Sequence, residues 1–233
     1  SLNFQTLDNG GLISSGATLT LGGRSLTNRG EINAANLTAL NETIGNSQGG
    51  SLLAEHRLQL NNNALDNSGK IAAEQLAINS GAVSNSGTLQ AKQTLETQGQ
   101  QLDNRGTVLS DGQLTLNADT LSNAGSLQGQ QLTVTANSGL NSGKVLSLGD
   151  ASITLNHLNN SGSLLSQQAL RLSSGETDNN GLIQGTRALS LTGQRLTNLA
   201  QGTVSSENSF GLNLPELNNL GLITSGGTLT LAG

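Results

Sequence analysis

Apolar residues in this chain fall in short alternating runs, and the runs recur. Leu19-Thr20-Leu21, Leu58-Gln59-Leu60, Leu76-Ala77-Ile78, Leu114-Thr115-Leu116, Leu132-Thr133-Val134, Leu170-Arg171-Leu172 and Leu189-Ser190-Leu191 each set one other residue between two aliphatic ones. A period of two marks a strand with one buried face. No segment sustains the i, i+3, i+4 spacing of an amphipathic helix, so the chain is expected to be all-β.

Between these runs lies a second marker, Leu-x-Asn-x-Gly-x-(Leu/Ile/Val)-x-(Ser/Ala/Gly), for example Leu121 to Gly129. Aligned on its Asn, it gives Asn9, Asn28, Asn46, Asn67, Asn85, Asn104, Asn123, Asn141, Asn160, Asn179, Asn198 and Asn219, spaced 18, 19 or 21 residues apart. Both 21-residue spacings arise where two extra residues precede the Gly, at Gly50 and Gly202. Internal repeats of this length indicate a solenoid. A strand of two to five residues cannot bury its face alone, but coils stacked at ~4.8 Å can. The expectation is a right-handed parallel β-helix of about twelve coils, each with three short strands and three turns; the hand follows from the usual parallel crossover. The whole of 1–233 reads as one repeat domain, a rod of roughly 55–60 Å at that rise. Because the pattern is already running at Ser1, the chain is expected to be a fragment of a longer shaft.

Each column then has a physical reading. The Gly supplies either positive φ or close backbone approach. The Asn column can pass its side-chain amide from coil to coil, an inward ladder that satisfies turn polar groups beside the core. The small column, Ser15, Ala34, Ala73, Ala91, Ser110 and onward, allows close packing at a corner. Asp8, Asp66, Asp103 and Asp178 precede the Asn and are expected to point outward.

Composition sharpens this picture. The chain has 31 Gly, one Pro (Pro215), two Phe (Phe4, Phe210) and no Cys, Met, Trp or Tyr. Such a core must be built from Leu, Ile, Val and Ala, which suits a narrow interior. Only 11% of residues are charged, and the net charge is −5 with scattered Lys and Arg, unlike a nucleic-acid footprint. No apolar run approaches the ~20 residues of a membrane-spanning helix, and no signal peptide is seen. No cofactor or metal motif is present: the acids are dispersed, and the calcium-binding Gly/Asp nonapeptide is absent.

Catalysis is not expected. His56 and His157 lie about a hundred residues apart, several coils away from one another, and no nucleophile elbow, Walker loop or HExxH occurs. A polysaccharide lyase-like β-helix, the third reading, would want clustered carboxylates and aromatic sugar platforms. The Thr20, Thr38, Thr115, Thr133, Thr154 and Thr230 row is too interrupted for an ice-binding face. The leucine-rich-repeat spacing is not matched. The irregular places read as tolerated surface variation or, alternatively, as a partner-contact patch: the insertions Ser47–Gly50 and Leu199–Gly202, the Asn137–Gly143 coil that lacks its usual Leu, and Phe210–Leu217 around Pro215. Ser47, Gln48, Leu199, Gln201 and Phe210 are the candidate contact residues.

Copies such as Leu65-Asp-Asn-Ser-Gly-Lys-Ile-Ala-Ala, Leu102-Asp-Asn-Arg-Gly-Thr-Val and Gly112 to Gly125 resemble filamentous-haemagglutinin repeats. The resemblance covers essentially the whole chain. It implies the shaft of a large exoprotein of Gram-negative bacteria, secreted through an outer-membrane two-partner transporter to the cell surface. Adhesins and the toxin carriers of contact-dependent growth inhibition share such shafts. It therefore implies a spacer that projects a distal adhesin or toxin domain. The alternative is that the segment itself binds a receptor or glycan on a target cell. Nothing here matches a secretion domain or a toxin.

Overall fold

The computed structural model describes residues 1–232. Its contacts gather the chain into two compact units, Ser1–Ala118 and Asp119–Gly233. Each is a parallel β-solenoid, and no helix occurs among the described residues.

In the first unit the runs Leu2–Asn9, Leu12–Asn28, Glu31–Asn46, Ser51–Asn67, Lys70–Asn85 and Thr88–Asn104 pair each with the next, always in parallel. The register is one coil: Leu7 lies beside Leu26, Leu26 beside Ile44, and Ile44 beside Leu65. Here the three expected strands merge into one extended run of 16 or 17 residues per coil. Corners are made inside extended backbone, so only the turn after each Asn breaks the run. In the second unit the strands separate more clearly. Lys144–Ser147, Ser163–Ser166, Leu182–Gly185, Thr203–Ser206 and Leu222–Ser225 stack as one face. Ala151–Asn160, Ala169–Asn179 and Ala188–Thr192 stack beside it.

Coil length varies in two separate places. Register shifts between Ala34 and Asn36, between Leu53 and Arg57, and between Ala73 and Gln75 show that 18- and 19-residue coils differ only at the corner after the small column. The two-residue insertions sit instead at the Asn turn. Neither place interrupts the core columns.

Those columns fill the interior. Leu52, Leu58 and Leu60 of one coil are fully buried and Leu65 is 1% exposed. Burial of such a side chain is worth about 1.5–3 kcal/mol, and every coil repeats it. Phe210 belongs here. It is 7% exposed and stands one coil from Leu189, at the first position of the strand whose Leu212 pairs with Leu191. The expectation that Phe210 lies in a surface contact patch is therefore corrected: its ring is core, and Phe210-Gly211-Leu212 is one more alternating apolar run.

The Gly column answers to close approach. A Cβ on Gly30 would come 2.1 Å from the Gly11 carbonyl oxygen, and one on Gly162 would come 2.1 Å from that of Gly143. Positive φ occurs instead at Gly49, inside the first insertion, at 85°.

The coil lacking its usual Leu is repaired from its neighbour. Gly139 pairs with Leu158, leaving the inward position empty of side chain. Leu155, at a corner where the next coil has Ser174, sends both methyls to 3.3 Å from where a Gly139 Cβ would be. A void of about 20 Å³ remains among Leu121, Leu127, Val134, Leu155 and Leu164. Leu155→Ala should enlarge it and destabilise the unit by about 2–5 kcal/mol. Gly139→Leu alone should also destabilise, by collision with Leu155. The double variant Gly139→Leu/Leu155→Ala approximates the arrangement of the next coils, an inward Leu beside a small corner residue, and should recover much of both losses. Urea unfolding of all four proteins measures the coupling; simple addition of the two losses would show that these side chains do not share a space.

Candidate functional site

The Asn turn is the most highly constrained feature of either unit. The strand ending in Leu-x-Asn directs the Leu and the Asn to the same inward face. In the first unit Asn9, Asn28, Asn46, Asn67 and Asn85 each donate from Nδ2 to Oδ1 of the following Asn at 2.8 or 2.9 Å, the last of these acceptors being Asn104. In the second unit Asn123, Asn141, Asn160, Asn179 and Asn198 do the same at 2.8 Å, ending on Asn219. Nδ2 also reaches main-chain carbonyls, as Asn160 does to Leu182 at 3.1 Å and to Gly162 at 3.4 Å. Asn28, Asn67, Asn160, Asn179 and Asn198 are wholly buried, whereas Asn219 is exposed.

The insertions preserve this wiring. Gly50 N–H donates to Ser47 at 2.8 Å, closing a loop that bulges outward, and Gly50 then offers its carbonyl to Asn46 Nδ2 at 3.2 Å. At Leu199–Gly202 the same two bonds measure 2.8 and 3.1 Å. Two residues are thereby added outside without changing the ladder inside. Ser47 is half-buried, and Gln48, Leu199 and Gln201 are exposed.

Small-column serines make a second set of coil-to-coil bonds that residue size alone did not announce. Ser166 Oγ lies 2.7 Å from the Gly149 carbonyl and 3.0 Å from that of Ala169, and Ser147 similarly approaches Gln130 and Asp150. A hydroxyl in place of Ala or Gly in that column is the only sequence signal.

Outside, the charged groups form local strings. His157, Glu176 and Arg195 occupy one register position in successive coils. Glu176 accepts from Arg195 at 2.9 Å and lies 3.3 Å from His157, while Asp178 stands 3.7 Å from Arg195. Asp8 pairs with Arg29, and Asp103 with Arg105. His56 meets only Glu74, at 3.4 Å. Among the described residues no group of three or more His, Asp or Glu is placed to hold a metal ion.

Two shallow clefts lie on the first unit. One, of about 460 Å³, is bounded by the inserted turn (Ser47, Gln48) and by Asp66, Ser68 and Ser86. The other, of about 520 Å³, runs along Thr27, Gly45, Asp66, Ser84 and Asp103. Asp66, with its exposed carboxylate, borders both; the first is lined by small polar side chains, whereas the second also has Ala64 and Ala82 in its wall.

Parallel coils joined by a buried amide ladder define each unit as a β-solenoid repeat. The family model described as Haemagglutinin repeat matches residues 5–41 and 131–233, more than half of the chain. The chain belongs to the haemagglutinin-repeat family. Searches among curated proteins and among solved structures each gave no match.

Two measurements probe this wiring. Asn160→Ala removes one acceptor and one donor from a buried chain of amides and should cost about 1–3 kcal/mol. Asn160→Asp keeps the acceptor but turns a second oxygen toward Asn179 Oδ1 and the Leu182 carbonyl. Burial without a cation raises a carboxyl's folded pKa above the ~3.9 of the unfolded chain. Its penalty should therefore be least in acid and grow as pH rises through that window. Urea unfolding from acid to neutral pH reads this, and a pH-independent penalty would place residue 160 in contact with solvent.

At the surface, Arg195 holds the Glu176 carboxyl below its usual range, by hydrogen bond and then by charge, with His157 adding to the effect. Glu176 in turn raises the pKa of Arg195. A depressed carboxyl stabilises the fold above its unfolded pKa and loses that contribution as pH falls through the folded one. Arg195→Ala should move the Glu176 midpoint upward in an NMR titration, with only a small effect on unfolding because the pair is exposed. An unmoved midpoint would mean that the ion pair does not form in solution.

Proposed function

We propose that this chain is a segment of the shaft of a large secreted bacterial surface protein, carrying a distal adhesin or toxin domain toward other cells. The observation that carries this reading is the use of the inward polar side chains: twelve Asn turns in one sequence register, with amides committed to bonds between coils. Side chains spent in this way hold coils together. Length is gained by adding coils, since each contacts chiefly its neighbours.

Membership of the haemagglutinin-repeat family supports a filamentous, adhesin-like role and a secreted, surface-exposed location. Passage through an outer-membrane two-partner transporter of a Gram-negative cell is consistent with the fold. Coils can close one at a time on an emerging chain, burying apolar surface without a long-range search. The carriers of contact-dependent growth inhibition and the adhesins have equal claim to such a shaft.

A second reading, that the segment itself contacts a receptor or glycan, is favoured by one feature. The inserted turn walls a polar cleft in which Gln48, Ser68, Ser86 and the Asp66 carboxylate face solvent together. Binding of the fluorescently labelled chain to intact bacterial and host cells, with unlabelled competitor, separates the two. A shaft should show no saturable binding while keeping its β-rich circular dichroism. Saturable binding that is lost in Gln48→Ala/Asp66→Ala would move the function to the cleft and overturn the spacer reading.

A further inference from the structure

An asparagine followed by glycine is chemically labile, because a glycine nitrogen carries no neighbouring side chain to hinder its attack on the amide carbon. The chain contains two such pairs, Asn9-Gly10 and Asn180-Gly181, and the fold treats them differently.

Asn9 is a ladder residue, 6% exposed. Its Nδ2 donates to Asn28 Oδ1 at 2.8 Å and its Oδ1 accepts from Gly11 N–H at 3.2 Å. Both polar atoms of its carboxamide are thus engaged in hydrogen bonds.

Asn180 stands one position beyond the ladder, where other coils have Ser68, Ser86, Ser142 or Ser161. It is half-buried, and its carboxamide has no hydrogen-bond partner among the described residues. The nucleophile is also less well held. In neighbouring coils the column glycine donates its N–H to the Asn carbonyl of the coil before, Gly143 to Asn123 and Gly162 to Asn141, each at 3.0 Å. Gly181 N–H instead makes a long contact, 3.3 Å, to Asn179 Oδ1.

We propose that Asn180 is a site of spontaneous covalent modification, with Gly181 as the attacking group and water as co-reactant. The Gly181 nitrogen forms a bond to Cγ of Asn180, the Cγ–Nδ2 bond breaks, and ammonia leaves with the proton that Gly181 gives up. Water then opens the resulting cyclic imide at either carbonyl, leaving aspartate or isoaspartate at position 180. The product places a new carboxylate two residues from Asp178. In its isoaspartyl form it adds one main-chain carbon between two ladder bonds, Asn180 N–H to the Asn160 carbonyl at 2.7 Å and Leu182 N–H to that of Gly162 at 2.9 Å. The turn is thereby lengthened where stacking is closest.

The intact chain, held at body temperature in mildly alkaline buffer, tests this by tryptic mapping with tandem mass spectrometry. The peptide Leu172–Arg187 should gain one dalton, localised to Asn180 rather than Asn179, and resolve into aspartyl and isoaspartyl forms. The peptide Ser1–Arg24, which carries Asn9, should keep its mass. Asn180→Ser, with unchanged circular dichroism, should abolish the gain. An unmodified Asn180, or equal gains at Asn9 and Asn180, would overturn the proposal.

Discussion

The constraint on which both units depend is the spacing of stacked coils at the Asn turn. Strands in a parallel ladder lie ~4.8 Å apart, close enough for the side-chain amide of one coil to span to the next. The chosen side chain must accept from the coil on one side and donate to the coil on the other. Aspartate lacks the donor at neutral pH, and glutamine adds a methylene that the buried turn leaves no room for. Asparagine alone meets both demands at 2.8 Å, as Asn67 does with Asn85. The same spacing removes the side chain two positions on: a Cβ at Gly87 would lie 2.1 Å from the Gly69 carbonyl oxygen. Asn and Gly thus recur together because one distance requires both.

Inside that frame the core needs no aromatic residues. An interior this narrow is filled by two aliphatic residues from each alternating strand and one from each remaining side, so Leu, Ile and Val suffice. Stability is then approximately a sum over coils and their interfaces, and a defect stays local. Gly139 is answered by Leu155 one coil away. Thr177, fully buried between Leu158 and Leu196, keeps a hydroxyl without a hydrogen-bond partner. Such a group costs about 1–3 kcal/mol, which a long stack tolerates and a small globular core would not.

This is why so much of the fold was legible in the sequence. The period, the parallel stacking and the Leu-x-Leu strands depend on columns, and columns can be counted. What escaped depends on contacts between columns. The Gly positions were compatible with positive φ or with close approach, and only the carbonyl of the preceding coil decides between them. Phe210 looked exceptional by type, although it stands one register step from Leu189 and could have been placed by counting. The partnership of Gly139 with Leu155 crosses coils and corners at once, so neither residue signals it alone. Among the candidate contact residues the insertions were recognisable by length. That they loop outward while Gly50 and Gly202 rejoin the ladder required the bonds to be seen.

The ladder also bears on the chemical durability of so asparagine-rich a chain. A side-chain amide is chemically the weakest part of such a sequence, yet Asn28, Asn67 and Asn160 are buried with both polar atoms engaged. An amide fixed by bonds to both neighbouring coils is less free to turn toward the backbone nitrogen that follows it. Protection follows the column rather than the residue type. Asn9 precedes a glycine but lies in the ladder; Asn180 precedes a glycine one step outside it. The turn positions that favour serine, such as Ser68, Ser142 and Ser161, satisfy the same exposed geometry without a labile amide. Architecture and chemical durability are therefore set by one interaction, and a departure from its register weakens both at the same place.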